Sequence, residues 1–120
     1  MKVKEKYGNF TKGEMFNMSK GSGCTLMKKV PDNTEFEVEG VIIMTDEQVN
    51  PETGETREKD ILHIKCKDGQ VLTTESPTII QTMMDAISFM ETHFLKFRLT
   101  RATSKNGRQF MDLELLSDGE

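Results

Sequence analysis

The chain is 120 residues long, 35% hydrophobic and 30% charged, with a formal net charge of −4. That length holds one modest core. No window approaches the about 20 apolar residues of a membrane span, and the opening MKVKEKYGNF lacks the apolar stretch of a secretory signal.

Only two cysteines occur, Cys24 and Cys66, so no disulfide framework is implied and a reducing cytosolic compartment is expected. The net charge hides an asymmetry. Residues 1–30 carry seven lysines against Glu5 and Glu14, a net +5, while residues 31–120 carry nine cations against eighteen carboxylates, a net −9. Within that acidic part, 92–111 holds Lys96, Arg98, Arg101, Lys105 and Arg108 and no acidic residue. Two basic segments on an acidic body point to an anionic partner.

In chain order, residues 1–30 are rich in Lys, Gly, Ser and Met without a sustained period, which predicts an irregular basic N-terminal arm preceding a domain at 31–120. PDNT (31–34) is a turn leading into TEFEVEGVIIM, whose alternation predicts a strand with Phe36, Val38, Ile42 and Met44 inward and Glu35, Glu37 and Glu39 outward. Gly40 breaks the alternation, as at a bulge. The stretch 45–60, with Asn50-Pro51 and Thr53-Gly54, reads as the long solvated tip of a hairpin. A second strand (Ile61 to Lys67), an Asp68-Gly69 turn and a short third strand (Gln70 to Thr74) follow. Ser76 and Pro77 are helix-start residues, and Ile80, Met83, Met84, Ile87 and Met90 recur at helical spacing, predicting one helix that plugs the core. The chain closes with two strands flanking SKNG, where Asn106-Gly107 tolerates positive φ.

A long first strand with a central glycine, a helix between the third and fourth strands, and a closing hairpin resemble the OB-fold, a five-stranded, partly open Greek-key barrel. With its basic extensions and small size, the chain resembles the single-domain ssDNA-binding proteins of phages. The resemblance spans residues 34–116 and is one of pattern, without a signature motif. It implies a mainly β barrel that binds DNA with one face and its loops. That face would include Lys65, Lys67 and Arg98, and the last loop would contribute Lys105, Asn106 and Arg108; Lys96, on the same side of its strand as Arg98, is a further candidate.

The residues themselves suit that chemistry, because a single strand offers a line of phosphates and exposed base faces. Arg98, Arg101, Lys105 and Arg108 supply counter-charge, with Phe94 and Phe110 as stacking platforms. Tyr7, Phe10 and Phe16, interleaved with Lys6, Lys12 and Lys20, repeat the pattern in the arm. The expected partner is single-stranded DNA, with RNA open as an alternative and replication or recombination proteins as further partners. No membrane partner is expected, and oligomeric state is left open. A phage-encoded protein of this kind would act in the bacterial host cytoplasm.

Enzymatic readings have little support. Cys24, His63, Cys66 and His93 lack zinc-ligand spacing, since His63 and Cys66 on one strand face opposite ways. KGSGC (20–24) lacks the ending of a phosphate-binding loop. No cofactor or metal is expected, and no helix-turn-helix pattern suggests duplex reading. Against DNA stand the acidic first-strand face and the 45–60 segment, whose six carboxylates outnumber Arg57 and Lys59. These favour the rival class, an OB-like protein-interaction module of a phage particle or replication complex.

Overall fold

The computed structural model describes residues 2–90 and 95–117. In chain order the elements are β1 (Lys2–Tyr7), α1 (Lys12–Ser19), β2 (Cys24–Leu26), a 3-10 turn (Met27–Lys29), β3 (Glu35–Val49), β4 (Thr56–Cys66), β5 (Val71–Thr74), α2 (Pro77–Met90), β6 (Leu95–Thr103) and β7 (Gln109–Ser117). The protein is therefore mainly β, with a seven-stranded sheet in place of the expected five strands. The sheet path is β2-β5-β4-β3-β6-β7, with β1 added to β3.

β3 organises the molecule. Its alternating half buries Phe36 and Val38 and exposes Glu35, Glu37 and Glu39. A bulge between Val38 and Gly40 resets the register against β4, as the glycine had suggested. Beyond it both faces are buried: the bulge turns Val41 and Ile43 into the main core, so Ile42 and Met44, expected on the face of Phe36 and Val38, instead join a second, smaller cluster. The bulge also marks an exchange of neighbours. One edge of β3 pairs with β6 over Glu35–Val38 and then with β1 over Val41–Thr45. β6 returns through α2 to lie beside β3, so β6-β3-β4-β5 have Greek-key order.

The main core gathers Phe36, Leu62, Ile64, Leu72, Phe97, Leu99 and Leu113 around the inner face. Phe36 and Phe97 stack with ring centroids 6.0 Å apart, adding about 0.5–1.5 kcal/mol beyond their burial. α2 closes this core through Ile79 and Met83, both fully buried, with Ile80, Met84 and Ile87 only flanking. The helical stripe thus runs one position earlier than Ile80 implied; the Met90 side chain lies outside the described residues. The Ser76 hydroxyl accepts from the Ile79 amide at 3.3 Å, satisfying one orphan donor of the first turn. No helix among the described residues is long and apolar enough to cross a membrane.

Two expectations need correction. Residues 2–30 are not irregular. β1 pairs with β3, β2 runs parallel to β5, and α1 covers the second cluster with Met18, which is 3% exposed, and Met15. α1 opens with a capping box: the Thr11 hydroxyl accepts from the Glu14 amide at 3.0 Å, and the Glu14 carboxylate accepts from the Thr11 amide at 2.9 Å. These two bonds satisfy donors that a short helix of weak amphipathicity cannot leave exposed at no cost.

The 45–60 segment is not a loop either. β3 and β4 stay paired down to Val49 opposite Thr56, forming a solvated two-stranded ribbon. Only 50–55 is a turn, closed by the Asn50 amide on the Glu55 carbonyl and by Gly54 at φ +73°. At the other hairpin, Gly107 alone takes positive φ (+77°), while Asn106 does not. There the Ser104 amide donates to the Arg108 carbonyl at 2.8 Å.

Candidate nucleic-acid interface

Cross-strand pairing decides which predicted cations face solvent and which face a carboxylate. On the outer face Arg98 stands opposite Glu35 on one side and Glu114 on the other. Its guanidinium lies 3.6 Å from the Glu35 carboxylate and 3.5 Å from that of Glu114. Lys96 reaches Glu35 at 3.3 Å, and Lys67 lies 3.7 Å from Glu37. Lys96 and Arg98, which looked uncompensated along the chain, are therefore compensated across it, by acids of β3 and β7.

Arg101 stands apart from the other cations of the expected site. It shares strand parity with Phe97 and Leu99, so it belongs to the inner face and not to that of Lys96 and Arg98. Its guanidinium donates to the carboxylate of Asp32 and to the carbonyls of Lys28 (3.1 Å) and Val30 (2.6 Å). It fastens the 27–32 segment to β6. The same junction is held by the Asn33 amide on the Leu99 carbonyl and the Leu99 amide on the Thr34 carbonyl.

At the tip of the β6–β7 hairpin, Lys105, Asn106 and Arg108 are exposed. Neither Lys105 nor Arg108 has an ion-pair partner among the described residues. Phe110, 42% exposed, lies next to this tip, opposite Ala102. Phe94 lies outside the described residues.

The N-terminal residues form a second cluster. Phe10 is half-buried, with its ring pressed on Gly40, where an added Cβ would meet the ring at 2.9 Å. The glycine that bulges β3 is thus also the seat of an aromatic side chain. The Lys65 ammonium lies 5.7 Å from the centroid of that ring and 2.8 Å from the Glu14 carboxylate. The bond to Glu14 raises the Lys65 pKa, while those to Lys65 and the Thr11 amide lower that of Glu14. Around Phe10 a cleft of about 290 Å³ is lined by Lys6, Gly8, Asn9, Thr11, Glu14 and Lys65. On α1, Phe16 is 63% exposed with the Lys20 ammonium 6.0 Å from its ring, and Lys12 is exposed. Tyr7 is exposed at the end of β1.

Sequence reasoning missed Glu14, although Thr11-x-x-Glu14 carried the capping-box spacing that places it. Of the four residues weighed for zinc, Cys66 lies in the main core and His63 on the opposite face, where the Cys24 sulfur stands 4.0 Å from its Nδ1, while His93 is outside the described residues. His63 is 2% exposed, its Nδ1 2.8 Å from the Thr73 hydroxyl and its Nε2 without a partner among the described residues. Burial depresses its pKa to about 4 and pushes the Cys66 thiol up to about 12. Both are packing groups.

The outer surface therefore combines exposed aromatics with cations at two places, the hairpin tip and the α1 region. The profile of the family described as "Phage Single-stranded DNA-binding protein" matches residues 8–116. The chain is also 29% identical over 105 residues to the "Single-stranded DNA-binding protein" of Bacillus phage PZA and, separately, to that of Bacillus phage phi29. Each match covers 85% of this chain and 82% of the relative. No solved structure matches the chain. By that nearly full-length match, the chain belongs to the family of phage single-stranded DNA-binding proteins.

Proposed function

We propose that the protein binds single-stranded DNA without sequence preference and covers the strand during phage DNA replication or recombination, in the cytoplasm of the bacterial host. It acts by binding and not by catalysis. Alongside family membership, the observation that carries this reading is the pairing of exposed rings with cations: Phe16 with Lys20, and Phe110 beside Lys105 and Arg108. Rings stack bases of any identity and cations follow the phosphate line, so the combination is tolerant of sequence. Lys65, Lys67, Lys96 and Arg98 lie between these places and engage phosphate by leaving their carboxylate partners.

We read the sheet as an OB-type barrel. Strands β3, β4, β5, β6 and β7 take the five barrel positions and α2 the plug. β1 and β2 are additions to it from the 1–30 segment, which serves as an arm carrying Tyr7, Phe10, Lys12, Phe16 and Lys20 against the 31–120 barrel. The rival reading, an interaction module without nucleic acid, draws on the acidic β3–β4 ribbon, where Val49 is exposed. In our reading that ribbon points away from DNA.

The test is fluorescence anisotropy with labelled oligothymidylate longer than the about 4–16 nucleotides that one barrel of this type covers. Duplex DNA and RNA of equal length run alongside. Tight single-strand binding that weakens with log salt, at a slope of about −0.7 per neutralised phosphate, is expected. Absence of binding at low salt would retire the reading in favour of the interaction module.

A further inference from the structure

The cleft between the β1–α1 connection and β4 brings together a ring, two lysines and an amide side chain. Phe10 is seated on Gly40, Lys65 stands beside it, and Lys6 and Asn9 line the same space. We propose that this cleft receives one nucleotide of the DNA, and that in the free protein Glu14 occupies on Lys65 the position of a DNA phosphate. The inference rests on the single-stranded DNA reading and adds a site and a built-in competitor to it.

The chemistry of the exchange is simple. A carboxylate and a phosphodiester are both singly charged oxyanions, and each accepts hydrogen bonds from an ammonium. Glu14 does not reach Lys65 by chance rotation. Its other oxygen is held by the Thr11 amide in the capping box, so the carboxylate is aimed at β4 before any ligand arrives. When a phosphate replaces it, Lys65 keeps an anionic partner and its place near the Phe10 ring, against which the base can lie. Glu14 turns to water while Met18 still anchors α1. Lys6 has no ion-pair partner among the described residues and supplies a second cation for the adjoining phosphate.

Glu14→Gln isolates the competitor, because glutamine retains the capping box and loses the charge. In the full chain, titrated with oligothymidylate at low salt, E14Q is expected to bind about two- to fivefold tighter than wild type, the scale of one exposed ion pair. Lys65→Gln should bind more weakly, and the E14Q/K65Q double variant no tighter than K65Q. Phe10→Leu keeps an apolar group on Gly40 but removes the ring, and should lose about tenfold. Glu47→Gln, on the ribbon, controls for overall charge and should not reproduce the E14Q gain.

Wild-type binding with no gain in E14Q would overturn the placeholder role. So would an equal gain on the K65Q background, since that outcome reports long-range repulsion alone. Wild-type affinity in F10L would remove the nucleotide from the cleft. Failure of the wild type itself to bind would instead strike the DNA reading, and this inference with it.

Discussion

The two basic segments of the chain, 2–30 and 96–108, look alike in composition and differ in what stands next to each charge. In the closing hairpin, Lys96 and Arg98 face glutamates on neighbouring strands, and Arg101 is turned inward onto backbone carbonyls. Only the tip, Lys105 and Arg108, remains unpaired among the described residues. In the N-terminal segment Lys4 pairs with Asp60 at 2.9 Å. Lys6, Lys12, Lys28 and Lys29 have no ion-pair partner among the described residues. Charge excess along a chain is therefore not charge excess on a surface. The partner strand decides, and that strand can lie far away in sequence.

The comparison can be broken by asking which segment is structural. If the N-terminal segment were only a charged arm, Met18→Ala would leave stability unchanged. With Met18 buried against Ile42 and Met44, a loss of about 2–5 kcal/mol is expected in urea unfolding.

His63 lies on the face that α1 covers and gives a second handle. Its pKa falls from 6.5 to about 4 on folding, so the unfolded chain takes up the proton first. Stability from this group is fully present above pH 6.5 and declines as pH drops toward about 4, by about 3 kcal/mol in all. His63→Gln should flatten that part of the stability–pH profile.

In the hairpin the sharper contrast is between Arg101 and Arg108. Arg101→Ala is expected to lower stability by about 2 kcal/mol, because the Lys28 and Val30 carbonyls and Asp32 lose a charged donor, without altering the salt dependence of DNA binding. Arg108→Ala should leave stability within about 0.5 kcal/mol and reduce the log–log salt slope by about 0.7. The reverse pattern would exchange their roles.

Much of the sheet was readable. The alternation of Phe36 and Val38, the break at Gly40, the Ser76-Pro77 helix start and the two hairpin turns carry local physical signals, and each produced the element it implied. Three things were not. The ribbon at 46–59 was taken for loop because charged residues and turn pairs dominate it; Asp46 opposite Lys59 is a cross-strand pair that only the register reveals. α1 has no clear apolar stripe, so only its capping spacing announced it. The neutralisation of Lys96 and Arg98 depends on β6 lying beside β3, a neighbour set by topology. Arg101 was legible in part, since its parity with Phe97 and Leu99 already placed it on the inner face.

β3 also has a consequence for how the chain reaches this state. It forms a local hairpin with β4, yet its remaining edge must be filled by β1 from one end of the chain and by β6 from beyond α2. Neither half of that edge can be satisfied until distant segments arrive, and loop closure must precede any reward from those contacts. Folding on the order of milliseconds to seconds follows, with the β3–β4 hairpin as the early piece. Until both ends dock, the strand that buries Phe36, Val38, Val41, Ile42, Ile43 and Met44 carries an open edge, so crowding of nascent chains is the moment of greatest risk.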